Sequence, residues 1–71
     1  MMNMELVYAD LLQADQLLEG DIIRHEDEFV TVKIINATDS GWSVSIVNDF
    51  GEDTEIEFDD DAMIRLYVYI E

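Results

Sequence analysis

A chain of 71 residues makes one small domain, and a domain of that length buries only about 60% of its unfolded surface, leaving a slim stability margin. Hydrophobic residues are 49% of the chain, which sets it apart from a disordered acidic tail, and the lack of cysteine with a single histidine excludes a disulfide framework and a Cys/His zinc site. Eighteen acidic residues stand against three basic ones, a net charge of -15, so phosphate is repelled and direct nucleic-acid binding, which needs a basic stripe, is excluded.

Period-2 alternation dominates the chain, as half-buried strands require. Leu6 to Tyr8 reads as a first short strand. Leu11 to Glu19 follows, where the spacing of Leu12, Gln16 and Glu19 permits one or two helical turns, closed by Gly20-Asp21. Ile22 and Ile23 form a second short strand, and Glu26-Asp27-Glu28 a charged turn. Val30, Val32 and Ile34 alternate with Thr31 and Lys33. After a hairpin loop at Thr38-Asp39-Ser40-Gly41, Trp42, Val44 and Ile46 alternate with Ser43 and Ser45. Asn48-Asp49-Phe50-Gly51 marks another turn, beyond which Ile56 and Phe58 alternate with Glu55 and Glu57. Asp59-Asp60-Asp61-Ala62 has the composition to start a single helical turn. Ile64, Leu66, Val68 and Ile70 then alternate with Arg65, Tyr67 and Tyr69.

Five or six short strands with close turns predict a mainly β protein. The expected form is a small SH3-like barrel or a strongly curved antiparallel sheet, with one or two short helical turns and residues 1–71 as a single domain. Trp42, Phe58 and Phe29 are expected at the core or its margin. Tyr67 and Tyr69 fall on the face opposite Leu66 and Val68. They either cover a barrel end or form an interface with a second copy of the chain, since Tyr is enriched at interaction hot spots.

The acids are unevenly placed. Between residues 49 and 61 there are eight: Asp49, Glu52, Asp53, Glu55, Glu57, Asp59, Asp60 and Asp61, with no Lys or Arg among them. Glu26, Asp27 and Glu28 form a second knot, and Asp10, Asp15, Glu19 and Asp21 a looser third group. On a strand, residues two apart share a face at a spacing of about 6.6 Å, so Glu55, Glu57 and Asp59 form a row. Successive phosphates of one DNA strand, with an axial rise of about 3.4 Å, lie on the order of 6–7 Å apart in space. A carboxylate row therefore matches a phosphate row in spacing. Self-repulsion from -15 charges opposes folding, which argues that the charge has a use beyond solubility.

Other chemistries find little support. An EF-hand fails, because placing Gly51 at its glycine position puts Ile46 first and Asn48 third. Asp59-Asp60-Asp61 is at most a weak divalent-ion site. No Ser/His/Asp order or phosphate-binding glycine loop is present, and His25 between Arg24 and Glu26 reads as a surface residue. The chain is expected to be non-enzymatic and to need no cofactor. No stretch approaches the ~18 apolar residues of a membrane span, and the N-terminus lacks the basic and apolar regions of a secretory signal, so a cytoplasmic location is expected.

A resemblance adds to this reading. Ala14-Asp15-Gln16-Leu17-Leu18-Glu19-Gly20-Asp21-Ile22-Ile23 resembles the ADLxxGDxI opening of many small bacterial and phage β-barrel domains. Gly41-Trp42-Ser43-Val44 and Thr54 to Ala62 are similar to closing strands of short phage-encoded proteins with SH3-like folds. In size and charge the chain also resembles phage-encoded DNA-mimic inhibitors, including those that block the histone-like nucleoid protein HU. The resemblance implies an acidic surface that occupies the nucleic-acid groove of a basic host protein, HU being the first choice, and action in the host cytoplasm. The alternative is a non-enzymatic adaptor barrel of a phage or bacterial assembly, its charge serving solubility.

Overall fold

The computed structural model describes residues 4–70. Six strands form: β1 (Glu5–Gln13), β2 (Ile22–His25), β3 (Glu28–Ala37), β4 (Gly41–Val47), β5 (Asp53–Asp59) and β6 (Met63–Ile70). They make one antiparallel sheet in the order β1-β6-β2-β3-β4-β5. The mainly β fold expected from the alternation is thus formed. Of the two expected shapes it is the curved sheet, because β1 and β5 remain separate edges and no ladder joins them. Curvature nevertheless carries Phe58 of β5 to the same groove as Leu11 of β1 and Met63 of β6.

Each strand turns its branched aliphatic residues inward. Ile23, Val30, Val32, Val44, Ile46, Ile56 and Ile64 are buried together, with Ile23 and Val44 fully so. The concave face is closed by a single 3-10 turn (Ala14–Gln16), which contributes Ala14 and brings in Leu17. Leu12, Ile35, Trp42 and Phe58 pack on the rim of this core. Phe29 does not join them: it lies on the opposite face, with its ring 5.0 Å from that of Tyr67 and the Arg24 guanidinium 4.9 Å away.

Two β-bulges change what the alternation predicts. In β3, Val32 pairs with Ile46 and Ile34 with Ser45, so Lys33 is an extra residue. The bulge shifts the inward phase by one: Ile34 becomes 55% exposed, and Ile35 takes the core side opposite Val44. In β1, Tyr8 pairs with Tyr67 and Asp10 with Leu66, leaving Ala9 over. That bulge lets the strand continue from Glu5 to Gln13, so that within the Leu11 to Glu19 segment the expected helical turn is confined to Ala14–Gln16. Asp60 and Asp61 likewise make a tight β-turn, with the Ala62 N–H donating to the Asp59 carbonyl at 3.1 Å, and no helical turn forms there.

The Leu18-Glu19-Gly20-Asp21 segment has a clear mechanical role. Gly20 sits at φ +94°, a conformation L side chains rarely adopt. The Leu18 N–H donates to Asp21 Oδ2 at 2.8 Å, the Gly20 N–H to the Val32 carbonyl at 2.8 Å, and the Val32 N–H to the Asp21 carbonyl at 2.8 Å. This turn therefore clamps the segment after the 3-10 turn onto β3.

The β2–β3 hairpin is closed by two residues, Glu26 and Asp27, with φ of 49° and 66°. Both central residues of a type I′ turn need positive φ, a demand that Asn-Gly meets and Glu-Asp meets poorly. Replacing the pair, Glu26→Asn with Asp27→Gly, is expected to stabilise the fold by about 1 kcal/mol, raising the melting temperature by about 4–8 °C. The melt belongs in high salt, so that relief of charge repulsion does not contribute. A lowered melting temperature would refute the assignment of strain to this turn.

Candidate functional site

Strand β5 lies at the sheet edge and divides its side chains cleanly. Ile56 and Phe58 turn inward, opposite Val44 and Trp42 of β4. Asp53, Glu55, Glu57 and Asp59 point outward, opposite Val47, Ser45, Ser43 and Gly41. All four acids are exposed. Three of their four neighbours on β4 are small, so nothing bulky on that strand overhangs the row. A four-carboxylate row at about 6.6 Å spacing results, and the right-handed twist of the strand gives it a curve.

Local contacts fix part of the row. The buried Ser43 hydroxyl donates to Glu55 Oε1 at 2.6 Å, which anchors one carboxylate over β4. Asp53 lies 3.5 Å from the Lys33 ammonium, but both are largely exposed and such a pair contributes little. Glu57 and Asp59 have no ion-pair or side-chain hydrogen-bond partner among the described residues.

The β4–β5 loop extends the row. Asn48 organises it: its Oδ1 accepts from the N–H groups of Phe50 (3.0 Å) and Glu52 (2.9 Å), and its Nδ2 donates to Glu52 Oε1 (2.8 Å). Asp49 and Glu52 are thereby held beside the start of β5, with Phe50 at the loop apex 84% exposed. At the other end Asp60 and Asp61 continue the acids around the β5–β6 turn. Asp39 belongs with them and was not singled out by the sequence; its hairpin adjoins Gly41, which pairs with Asp59. Pairing the two hairpins by register would have found it.

The second knot is brought near as well. Glu26 and Asp27 line an open groove of about 590 Å³ whose far wall includes Phe58 and Met63, the residues flanking the Asp59-Asp60-Asp61-Ala62 turn. Glu28 starts β3 beside them. Arg24 and Arg65 line the same groove, so this side of the acidic surface is of mixed sign, a feature sequence spacing did not reveal. Of the third group, Asp21 and Asp10 serve local structure, Asp10 Oδ1 accepting from the Leu11 N–H at 2.8 Å.

Tyr67 and Tyr69 share the outer face of β6 but differ in setting. Tyr67 is half-buried between Tyr8 (ring centroids 6.1 Å apart) and Phe29, whereas Tyr69 is exposed. Among the described residues no three His, Asp or Glu side chains gather as a metal-ligand set. What the arrangement offers chemically is a fixed, curved row of anions able to meet several cations at once. No protein-family model matches the chain, and no curated protein or solved structure matches it.

Proposed function

We propose that the protein is a non-enzymatic DNA mimic, which binds the nucleic-acid-binding surface of a basic host protein and blocks it. The nucleoid protein HU is the first candidate partner. The observation that carries this reading is the outward row Asp53, Glu55, Glu57 and Asp59 on one rigid strand, extended at both ends by acidic turns. A surface built to contact phosphates has cationic side chains at phosphate spacing, and a carboxylate row of like spacing meets the same cations. Neutralising it releases counterions as neutralising DNA does, and complementary charge speeds encounter at low salt.

Titrating the protein into a complex of HU and labelled duplex DNA tests the proposal. Displacement of DNA at near-physiological salt is expected, with inhibition weakening steeply as salt rises. Failure to displace DNA removes HU as partner. If the immobilised protein retains no DNA-binding protein from a bacterial lysate, mimicry itself falls, and the reading as a non-enzymatic adaptor of a larger assembly takes its place.

A further inference from the structure

The first four paired residues of β1, Glu5 to Tyr8, pair with Tyr67 to Ile70 of β6, while β2 reaches β6 only at Leu66 and Tyr67. Beyond Tyr67 the sheet therefore narrows to a two-stranded arm, consistent with a molecule 47 Å long but only 25 and 20 Å across. A lone two-stranded ribbon is marginally stable in water. This one is apolar on both faces: Tyr8 and Tyr69 are 54% and 53% exposed on one, Val68 and Ile70 are 40% and 46% exposed on the other, and Met4 stands exposed beside them.

The two sheet edges are treated differently. Edge β5 carries four outward acids, which discourage pairing with another strand. Among the described residues the arm has only Glu5 as a charged residue, although the chain holds 18 acids. A neighbour with a charge of -15 can approach this molecule only where charge is sparse, and the arm is such a place. Joining two copies there also leaves their β5 strands, at the opposite edge of each sheet, apart from one another.

From this unguarded, apolar arm we infer that the protein is a homodimer, two copies associating symmetrically through β1 and the C-terminal half of β6. Pairing along the open β1 edge completes its backbone hydrogen bonds and brings apolar side chains of both faces against their copies, each face being covered in part. The inference is independent of the DNA-mimic proposal.

Sedimentation equilibrium at tens of micromolar protein tests it. The expected mass is twice the 8.2 kDa of one chain, with association strengthening as salt rises because residual repulsion is screened. Tyr69→Glu and Val68→Glu are expected to sediment as folded monomers, whereas Glu57→Gln stays dimeric. Should both arm variants unfold, Tyr8→Ser keeps the test open, with the dimer dissociation constant rising at least tenfold. A wild-type mass of one chain, or folded arm variants that stay dimeric with unchanged affinity, overturns the inference.

Discussion

Reversing Glu55, Glu57 and Asp59 together to lysine is expected to abolish displacement of DNA from the basic partner while the fold is retained. Each reversal changes the charge by two, so the net goes from -15 to -9 and self-repulsion falls. All three side chains are exposed on an edge strand, and only Glu55 is held, by the Ser43 hydroxyl. Losing that hydrogen bond costs about 1 kcal/mol, which relief of repulsion offsets in part. If each reversal weakens binding about tenfold, or about 1.4 kcal/mol, the triple variant loses on the order of 1,000-fold in affinity. The slope of log affinity against log salt should also fall by roughly three. A matched control reverses Asp10, Asp15 and Glu19, exposed acids away from β5 and outside the β1–β6 arm, and reaches the same -9. Competition assays on the two variants separate a located surface from bulk charge. Equal loss in both would sink the assignment of the β5 face, and so would unchanged inhibition by the β5 variant.

The acidic row was legible because β5 obeys the period-2 rule without interruption. Strict alternation of Glu55, Ile56, Glu57 and Phe58 leaves one register that buries the apolar pair. β4 reads as easily, with Val44 and Ile46 inward and Ser43 and Ser45 outward. Legibility failed where a backbone irregularity shifts the phase. Nothing in Val30-Thr31-Val32-Lys33-Ile34-Ile35 says that Lys33 will bulge, so Ile34 looked like core and Ile35 did not. The bulge at Ala9 similarly hid the continuity of β1: of the Leu11 to Glu19 segment with helical spacing, Leu11 to Gln13 are extended and the helical turn is confined to Ala14–Gln16. β6 shows a third limit. Its pattern from Ile64 to Ile70 is regular, yet Val68 and Ile70 are exposed, because the sheet beside them has ended. Alternation reports which residues share a face and not whether another layer covers that face. For the same reason Phe29 and Tyr67 proved partners on the outer face. The groove that joins Glu26 and Asp27 to Phe58 depends on the curl of the whole sheet, which no local pattern encodes.

A charge reversal changes both the number and the placement of charges, whereas Gly41→Ala changes placement alone. Gly41 is buried, and it pairs with Asp59 at the point where β4 meets the end of the acidic row. A Cβ built there would overlap the Phe58 carbonyl oxygen and come within 2.9 Å of the Asp59 Cα. These are backbone atoms of the neighbouring strand and cannot rotate away. Alanine must therefore push β5 from β4 at the end that carries Glu57 and Asp59, with an expected cost of about 3 kcal/mol. In so small a domain that is a large part of total stability. Thermal melting should show the loss, and amide exchange should locate it in Trp42, Phe58 and their neighbours. Every carboxylate is still present, and the net charge is still -15. If inhibition depends on a row held at fixed spacing, Gly41→Ala loses DNA displacement under conditions where the rest of the sheet stays folded, and added salt does not restore it. If the variant displaces DNA as well as the wild type while β5 is demonstrably detached, the partner responds to flexible negative charge, and the edge strand is not the template proposed for it. Gly41 thus bears on the proposed function through geometry: it lets the end of the acidic strand sit flush against β4, so that its charges form a surface.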